Sequence, residues 1–433
     1  MKTITNQETI KPSSPTPPHL NRYNLSFIDN KIPNFHLPWV FLYKNYNKDD
    51  INKLKKSLSK CLTQYYPFAG RLPSPSASYV ECNDEGVEFL EASIDVVRLE
   101  DLVLKRDPDE TIINNELVPN LGIESSNRML EVQVNHFSCG GVAVAVSISH
   151  KIADGFTMAN LVNHWATVTR GGSPIINPTF VSAPVRDATT TTTNVHQDDH
   201  QSVMKKVPSK DKYTAKRFVF SNSKLNDLKN RINNMNITPL NPSRVESLTS
   251  LLFKCAVNAA TTKAGGSFQP SNLSLMVNMR EKISSTTVSL KNAVGNILNL
   301  AIAKMADNSS EIIHLHEVIT RLRKDRMEIE GAAVRDVEEL GEMYFKRRTG
   351  FLQHDQSHRV YGCTSLCNFS FYGVDFGWGN PVRVILPFHN WDDSSYFTLM
   401  DAASGDGIEA TVILEEGEMA HFQNDKDLAY VQD

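Results

Sequence analysis

The sequence predicts an α/β protein built from two domains of comparable size. At 433 residues, the chain exceeds what one ordinary hydrophobic core holds. Patterns typical of strands and of helices occur in both halves. A polar, threonine-rich segment of low complexity at residues 188–203 separates the halves and has no periodicity of its own. We therefore predict a first domain at residues 1–185, a crossover linker at 186–214 and a second domain at 215–433.

The composition excludes two classes of partner. The net charge is −4, so neither nucleic acid nor an anionic membrane attracts the chain electrostatically. No apolar run approaches the roughly 18 residues that cross a bilayer. The N-terminus has no apolar stretch of the kind found in secretory signals, and the six cysteines are few and scattered. We therefore expect a cytoplasmic protein that binds no nucleic acid and does not insert into membranes.

The first half begins with an extended segment and a helix. Residues 11–18, KPSSPTPP, are rich in proline, which fixes φ and removes a backbone donor, so we expect this stretch outside helices and strands. Residues 56–73 begin with apolar side chains at helical spacing, and Pro67 and Gly70 end that helix.

Around His150 the patterns give a strand, a turn, a strand, a loop and a helix. Residues 130–134 and 142–149 alternate as strands do, and residues 138–141 supply the turn between them. After His150, the segment FTMANLVNHWATV places apolar side chains on one helical face. This order predicts that His150 lies at the end of a strand, just before a helix.

The second half repeats this mixture. Helical spacing returns at residues 243–260, and strands are predicted at residues 271–280 and 381–388. Each domain is therefore expected to contain a β-sheet with helices packed against it.

His150 and Asp154 stand four residues apart in SISHKIADG, and four interpretations compete. Asp154 can cap the next helix, with His150 as a polar residue at a strand end. The pair can contribute to a metal site, although zinc prefers three or four ligands. A hydrolase triad lacks its G-x-S-x-G motif. Finally, His150 can be a general base, with Asp154 holding the loop. Spacing alone does not decide, because His389 and His421 have an aspartate at the same distance.

A second motif, FYGVDFGWGNP at residues 371–381, predicts a tight loop around Asp375. Gly373, Gly377 and Gly379 let the backbone turn sharply and approach other parts of the chain. The DFG triplet also occurs in protein kinases, but no H-R-D or G-x-G-x-x-G loop accompanies it, so a kinase is excluded. On its own, the motif is also consistent with a structural turn around an ion-paired Asp375.

The two motifs in this order resemble the plant BAHD acyltransferases, which use acyl-coenzyme A. SHKIADG in the first half is followed by DFGWG in the second. Further similarity occurs at KPSSPTPP, LSFID (25–29), YYPFAGRL (65–72), VNHFSCGG (134–141), the helix from Glu246 to Cys255, VNMR (277–280) and VGN (294–296). The opening segment and NHFSCGG are most similar to the branch that acetylates alkaloid and terpenoid alcohols.

The resemblance implies a fold and a reaction. The implied fold is two domains like chloramphenicol acetyltransferase, each a mixed β-sheet flanked by helices, with a channel between them and His150 near its middle. A segment around residues 360–380 is expected to cross back onto the first domain. The implied reaction transfers an acyl group, expected to be acetyl, from acyl-CoA to a hydroxyl of a bulky, mostly apolar metabolite. The resemblance implies a monomer that needs neither a metal nor an acyl-enzyme.

The resemblance also assigns roles to individual residues. His150 is the general base, a task that suits a neutral imidazole with an ordinary pKa of about 6.5. Asp154 and Asp375 are counted with it as catalytic, although Asp154 is expected to pair with Arg280 and Asp375 to shape its loop. The indole N–H of Trp378 is expected to donate to the developing oxyanion. The glycines expected to support the site are Gly155, Gly377 and Gly379.

One departure and two alternatives accompany these expectations. The family commonly has Trp-Cys-Arg before DFGWG, whereas this chain has Leu366-Cys367-Asn368. These side chains either leave a roomier, less polar acceptor pocket or pack between the domains. N-acyl transfer is one alternative function, and a catalytically silent paralogue that binds metabolites or a partner enzyme is the other. No phosphate-cradling motif is present, so the residues that bind coenzyme A stay unknown.

Overall fold

Two six-stranded mixed sheets, each covered by helices, form the framework of the protein. The computed structural model describes residues 2–105, 107, 109–119, 126–173, 177–181, 212–234, 239–282, 289–305, 312–353, 358–387 and 394–432. The two-sheet α/β architecture predicted from the sequence is confirmed.

The first sheet is built mainly from the first half of the chain. Its order is β1-β5-β6-β7-β3-β14, in which β5 and β6 are parallel and the other pairs are antiparallel. The strands of this half are β1 (Lys2–Ile10), β2 (Arg22–Asn24), β3 (His36–Tyr43), β4 (Tyr79–Glu81), β5 (Val87–Ile94), β6 (Leu130–Phe137), β7 (Val142–Ser149) and β8 (Thr179–Phe180). The helices are α1 (Phe27–Lys31), α2 (Ile51–Gln64), α3 (Leu99–Leu104), α4 (Glu110–Ile112) and α5 (Gly155–Thr169).

The second sheet comes from the second half and has the order β12-β10-β13-β15-β16-β9. The strands of this half are β9 (Tyr213–Phe220), β10 (Ser271–Asn278), β11 (Ala293–Val294), β12 (Leu298–Lys304), β13 (Arg359–Ser365), β14 (Arg383–Ile385), β15 (Ser395–Asp401) and β16 (Ile408–Glu415). The helices are α6 (Asn222–Asn234), α7 (Arg244–Lys263), α8 (Leu315–Glu330), α9 (Val337–Gln353), α10 (Glu416–Phe422) and α11 (Lys426–Val431).

Strand β7, which leads to His150, is buried over its whole length. Its sequence VAVAVSIS alternates in size rather than in polarity. The larger side chains, such as Val144, pack in the main core of the first half, whereas Ala143 and Ala145 pack in a smaller core on the other face of the sheet. Because both faces are covered, the strand is fixed in position and gives His150 a rigid support.

The two halves exchange short strands. β14 comes from the second half but pairs with β3 in the first sheet. The segment expected to cross back, around residues 360–380, also packs there, because Leu366 and Phe371 are buried in the core of the first half. In the other direction, β11 pairs in parallel with β8 of the first half. The predicted linker at residues 186–214 lies outside the described residues as far as residue 211, and β9 begins at Tyr213.

Candidate active site

His150 follows the last residue of β7 and begins a short loop that leads into α5. Its backbone N–H donates to the carbonyl oxygen of Phe35 at 2.9 Å. Its imidazole meets the Phe35 ring edge-on, with centroids 5.1 Å apart. The preceding strand is buried, whereas His150 and Phe35 are both partly exposed. The fold therefore brings a basic side chain from the sheet interior to an accessible position beside an aromatic ring.

Asp154 directs its carboxylate to the N-terminus of α5 and to Arg280. Oδ1 accepts hydrogen bonds from the Thr157 backbone N–H at 2.9 Å and from Arg280 Nη2 at 3.0 Å. Oδ2 accepts from Arg280 Nη1 at 2.7 Å and from the Ile297 backbone N–H at 3.3 Å. With four donors on two oxygens, Asp154 caps the helix and pairs with Arg280 at once.

Arg280 completes this buried ion pair. It is 3% exposed and also donates to the backbone oxygens of Ala293 and Gly295, each at 2.9 Å. Its guanidinium lies over the Phe156 ring, 4.5 Å from the centroid. Burial alone would raise the pKa of Asp154, but the Arg280 charge and hydrogen bonds bring it below its usual value. Asp154 therefore stays ionised and fully engaged near neutral pH.

The imidazole of His150 is held neutral near pH 7. Burial lowers its pKa from the usual 6.5. Its own backbone carbonyl, the Asp154 charge, the Ala153 carbonyl and the Asn296 side chain oppose this effect only in part. A neutral imidazole has a lone pair on one ring nitrogen, which is the form that a general base requires.

The loop around Asp375 is a tight turn closed by its own carboxylate. Asp375 Oδ1 accepts from the backbone N–H groups of Gly377 at 2.7 Å and Gly379 at 2.9 Å. Both glycines have positive φ, 103° and 85°, which other residues adopt only with strain. Arg170 Nη1 lies 3.9 Å from Asp375 Oδ2 and donates to the Asp375 backbone oxygen. These contacts give Asp375 the loop-shaping role.

Trp378 does not fit the oxyanion role predicted from the sequence. Its indole N–H donates to Asp50 Oδ2 at 3.0 Å, at the start of α2. The ring also packs against Tyr43 and Tyr46, with centroids 5.5 Å and 5.0 Å away. An indole carries a single N–H, and here a carboxylate already accepts it. We therefore correct the assignment: Trp378 fastens the Asp375 loop to α2.

The residues that replace Trp and Arg before the loop have separate surroundings. Leu366 is buried in the core of the first half, and a Cβ on Gly155 would lie 2.6 Å from its Cδ2. Asn368 is exposed and has φ 66°, a left-handed conformation that asparagine tolerates better than arginine. Leu366 therefore packs against the start of α5, and Gly155 makes room for it.

Sequence reasoning missed Asn296, which donates to the His150 backbone oxygen, and Asp29, which accepts from Asn296. They lie in the stretches LSFID and VGN, which carry part of the family resemblance but suggested no role. Neither periodicity nor spacing could have paired them, because they stand 267 residues apart.

Two features of the described residues bear on the class of protein. Within these ranges, no group of three or more His, Cys, Asp and Glu side chains is arranged to hold a metal ion. Among the helices that the structure describes, none has the length and apolarity needed to span a membrane.

Known proteins are similar to this chain over nearly its whole length. The sequence model of the Transferase family matches residues 1–429. A 17,18-epoxy-17-hydroxycur-19-ene N-malonyltransferase of Strychnos nux-vomica is 34% identical, covering 98% of this chain and 89% of that protein. Deacetylvindoline O-acetyltransferase of Catharanthus roseus is 32% identical, covering 97% of this chain and 95% of that protein. The crystal structure of vinorine synthase is 28% identical, has a TM-score of 0.79 and covers 100% of this chain and 99% of its own.

Proposed function

Because this chain belongs to the BAHD acyltransferase family, we propose that it transfers an acyl group, acetyl in the first instance, from coenzyme A to a hydroxyl of a bulky, mostly apolar metabolite. The observation that carries this proposal is the arrangement at the end of β7. There, a neutral, partly exposed His150 stands beside an Asp154 whose oxygens are already bonded.

In the proposed reaction, His150 removes the proton from the acceptor hydroxyl as its oxygen attacks the thioester carbonyl carbon. A C–O bond forms, and collapse of the tetrahedral intermediate breaks the C–S bond. The imidazolium returns the proton to the departing thiolate, so the products are an ester and free coenzyme A. A positioned base of this kind typically contributes about 10²–10⁴-fold to the rate.

Aromatic side chains at His150 and at the start of α5 support an apolar acceptor. Phe35 lies edge-on to His150, and Phe156 and Phe369 meet edge-to-face at 5.7 Å beside the start of α5. The named substrate of one relative, deacetylvindoline, agrees with this chemistry. We therefore propose an alkaloid or terpenoid alcohol as the acceptor.

N-acyl transfer is the second candidate, and one observation favours it. A relative that covers 98% of this chain is named an N-malonyltransferase, which differs in both the acyl group and the acceptor atom. A neutral amine also needs to lose a proton during transfer, so His150 would serve either acceptor.

The test combines two donors with two kinds of acceptor. Purified protein is incubated with acetyl-CoA or malonyl-CoA and a panel of matched alcohols and amines, and free thiol release is followed together with product mass. We expect the fastest release with acetyl-CoA and a rigid apolar alcohol, and a product heavier by one acetyl group.

The same panel contains the contradicting results. Faster turnover of amines than of matched alcohols would replace the O-acyl proposal with the N-acyl one. Preference for malonyl-CoA would overturn the acetyl assignment. Thiol release without any acylated product would mean that water, not a metabolite, is the acceptor.

A further inference from the structure

A loop from the second half of the chain, Gly295 to Ile297, lies against the His150 loop of the first half. Asn296 at its centre is 2% exposed. Its side-chain Nδ2 donates to Asp29 Oδ1 and to the backbone oxygen of His150, each at 2.7 Å. Its backbone N–H also donates to Asp29 Oδ1, at 2.9 Å. The carboxamide thus uses both of its N–H donors, and its orientation is fixed by them.

The remaining atom of this carboxamide is an unpaired acceptor. Among the described residues, Asn296 Oδ1 and His150 Nδ1 are both buried and without a hydrogen-bond partner. The Asn296 side chain nevertheless lies close to the imidazole. It raises the pKa of His150, whereas burial lowers that pKa. The backbone oxygens of His150 and Ala153 act on the ring in the same direction. Such bonds are often long before substrate binds and tighten in the complex.

The unpaired Nδ1 of the imidazole and the unpaired Oδ1 of Asn296 are complementary, because a ring nitrogen can donate a hydrogen bond and an amide oxygen accepts one. A neutral imidazole carries its proton on the nitrogen that faces an acceptor, and the other nitrogen keeps the lone pair. We propose that Asn296 is a positioning residue for His150, which holds the ring with Nδ1 protonated and Nε2 free as the base. This inference rests on the proposed role of His150 as the base.

Asp29 is the anchor of Asn296. It is 1% exposed, and its Oδ2 accepts from the Ser26 backbone N–H at 3.3 Å in the capping box of α1. Gly295 lets the loop come this close, because a Cβ there would lie 3.2 Å from Asp29 Oδ2. Burial raises the pKa of Asp29 to about 6, against the hydrogen bonds from Asn296 and Ser26. The neighbouring Lys151 is also buried. Burial lowers the pKa of Lys151, and the Asp29 charge opposes that lowering.

This arrangement joins the two halves at the proposed base. Asp29 and His150 come from the first half, whereas Asn296 comes from the second. Two further contacts fix the loop: the Gly295 carbonyl accepts from Thr157 Oγ1 at 3.2 Å and from Arg280 Nη2 at 2.9 Å. A shift of one half against the other would therefore move Asn296 relative to the His150 ring.

The test uses Asn296→Ala and a matched control, Asn299→Ala. Asn299 is fully buried three residues later in β12, where its Oδ1 accepts from the Leu300 backbone N–H. Protein labelled with ¹⁵N in histidine is studied by long-range imidazole NMR, and His150→Ala identifies the signal. We expect His150 to be protonated on Nδ1 in the unaltered protein and in Asn299→Ala, and to exchange between tautomers in Asn296→Ala.

Kinetics supply the second readout, with acetyl-CoA and the best alcohol of the panel. Asn296→Ala should lower kcat by about 10–100-fold, since misplacing a catalytic group by about 1 Å costs on the order of 10²-fold. The KM for acetyl-CoA should not change. Asn299→Ala should lose stability but keep its kcat.

Three results would overturn the inference. One is an Nε2-protonated His150 in the unaltered protein. Another is an unchanged tautomer in Asn296→Ala, and the third is equal kcat in folded Asn296→Ala and Asn299→Ala. Failure of the proposed function gives a different result, namely full turnover by His150→Ala, and the NMR tautomer can be read independently of it.

Discussion

Arg280 meets Asp154 at two points, Nη1 to Oδ2 at 2.7 Å and Nη2 to Oδ1 at 3.0 Å, in a site where both side chains are buried. This pair joins the start of α5 to the second half of the chain. The Asp154 carboxylate is the nearest to His150 in sequence, and both of its oxygens already accept hydrogen bonds from Arg280. This supports a structural rather than a chemical role for Asp154.

Asp154→Ala should therefore destabilise the protein before it affects chemistry. Breaking a buried pair leaves the Arg280 charge uncompensated, at a cost of about 3–5 kcal/mol. Asp154→Asn keeps an acceptor for the Thr157 N–H and should cost less. Thermal unfolding of the two variants is the measurement. An unchanged Tm in Asp154→Ala together with lost turnover would make Asp154 a participant in the reaction.

The pH dependence of kcat/KM should report a His150 pKa below 6.5, because burial lowers it. Only the neutral imidazole accepts a proton, so activity should fall as the pH drops through that value and level off above it. Asp29, with its pKa of about 6, titrates in the same region. The variant Asp29→Asn removes this second group and should keep the acid limb. A limb centred above 6.5, or one that disappears in Asp29→Asn, would contradict the assignment to His150.

Gly155→Ala should destabilise the junction between α5 and the segment before the Asp375 loop. The new Cβ would lie 2.6 Å from Leu366 Cδ2, and overpacking of this kind costs about 1–3 kcal/mol. In a Leu366→Ala background that contact is absent, so the same substitution should cost much less. A double-mutant cycle by denaturant unfolding measures the difference. Additive free energies of unfolding would show that the two residues do not oppose each other.

Trp378→Phe tests the corrected role of this side chain. The substitution removes the hydrogen bond to Asp50 but keeps an aromatic ring against Tyr43 and Tyr46. We expect a loss of about 1 kcal/mol in the free energy of unfolding and little change in turnover. Asp50→Asn, which keeps an acceptor, is the matched control. If turnover fell by about 100-fold or more, the size expected when an oxyanion donor is removed, the original prediction would be restored.

Local patterns predicted the elements around the site well, and long-range contacts decided the rest. The strand before His150 and the helix after it follow from side-chain periodicity in one continuous segment. The pairing of Asp154 with Arg280 followed only from the family resemblance, because no local pattern relates the two residues.

The failures have the same physical origin. The acceptor for the Trp378 N–H is Asp50, 328 residues away, and no sequence pattern indicates that contact. Asn296 and Asp29 meet only when the two sheets are assembled. The alternation in residues 142–149 predicts the strand β7. It does not predict that both faces of the strand are covered, because that depends on helices elsewhere in the chain.

The most direct test of the account is the turnover of His150→Ala, measured beside its Tm and its affinity for coenzyme A. We expect an unchanged fold and a coenzyme A affinity close to that of the unaltered protein. Turnover should fall by at least about 10²-fold, the lower end of what a general base contributes. A variant that kept more than roughly a tenth of the original turnover would show that His150 is not the base.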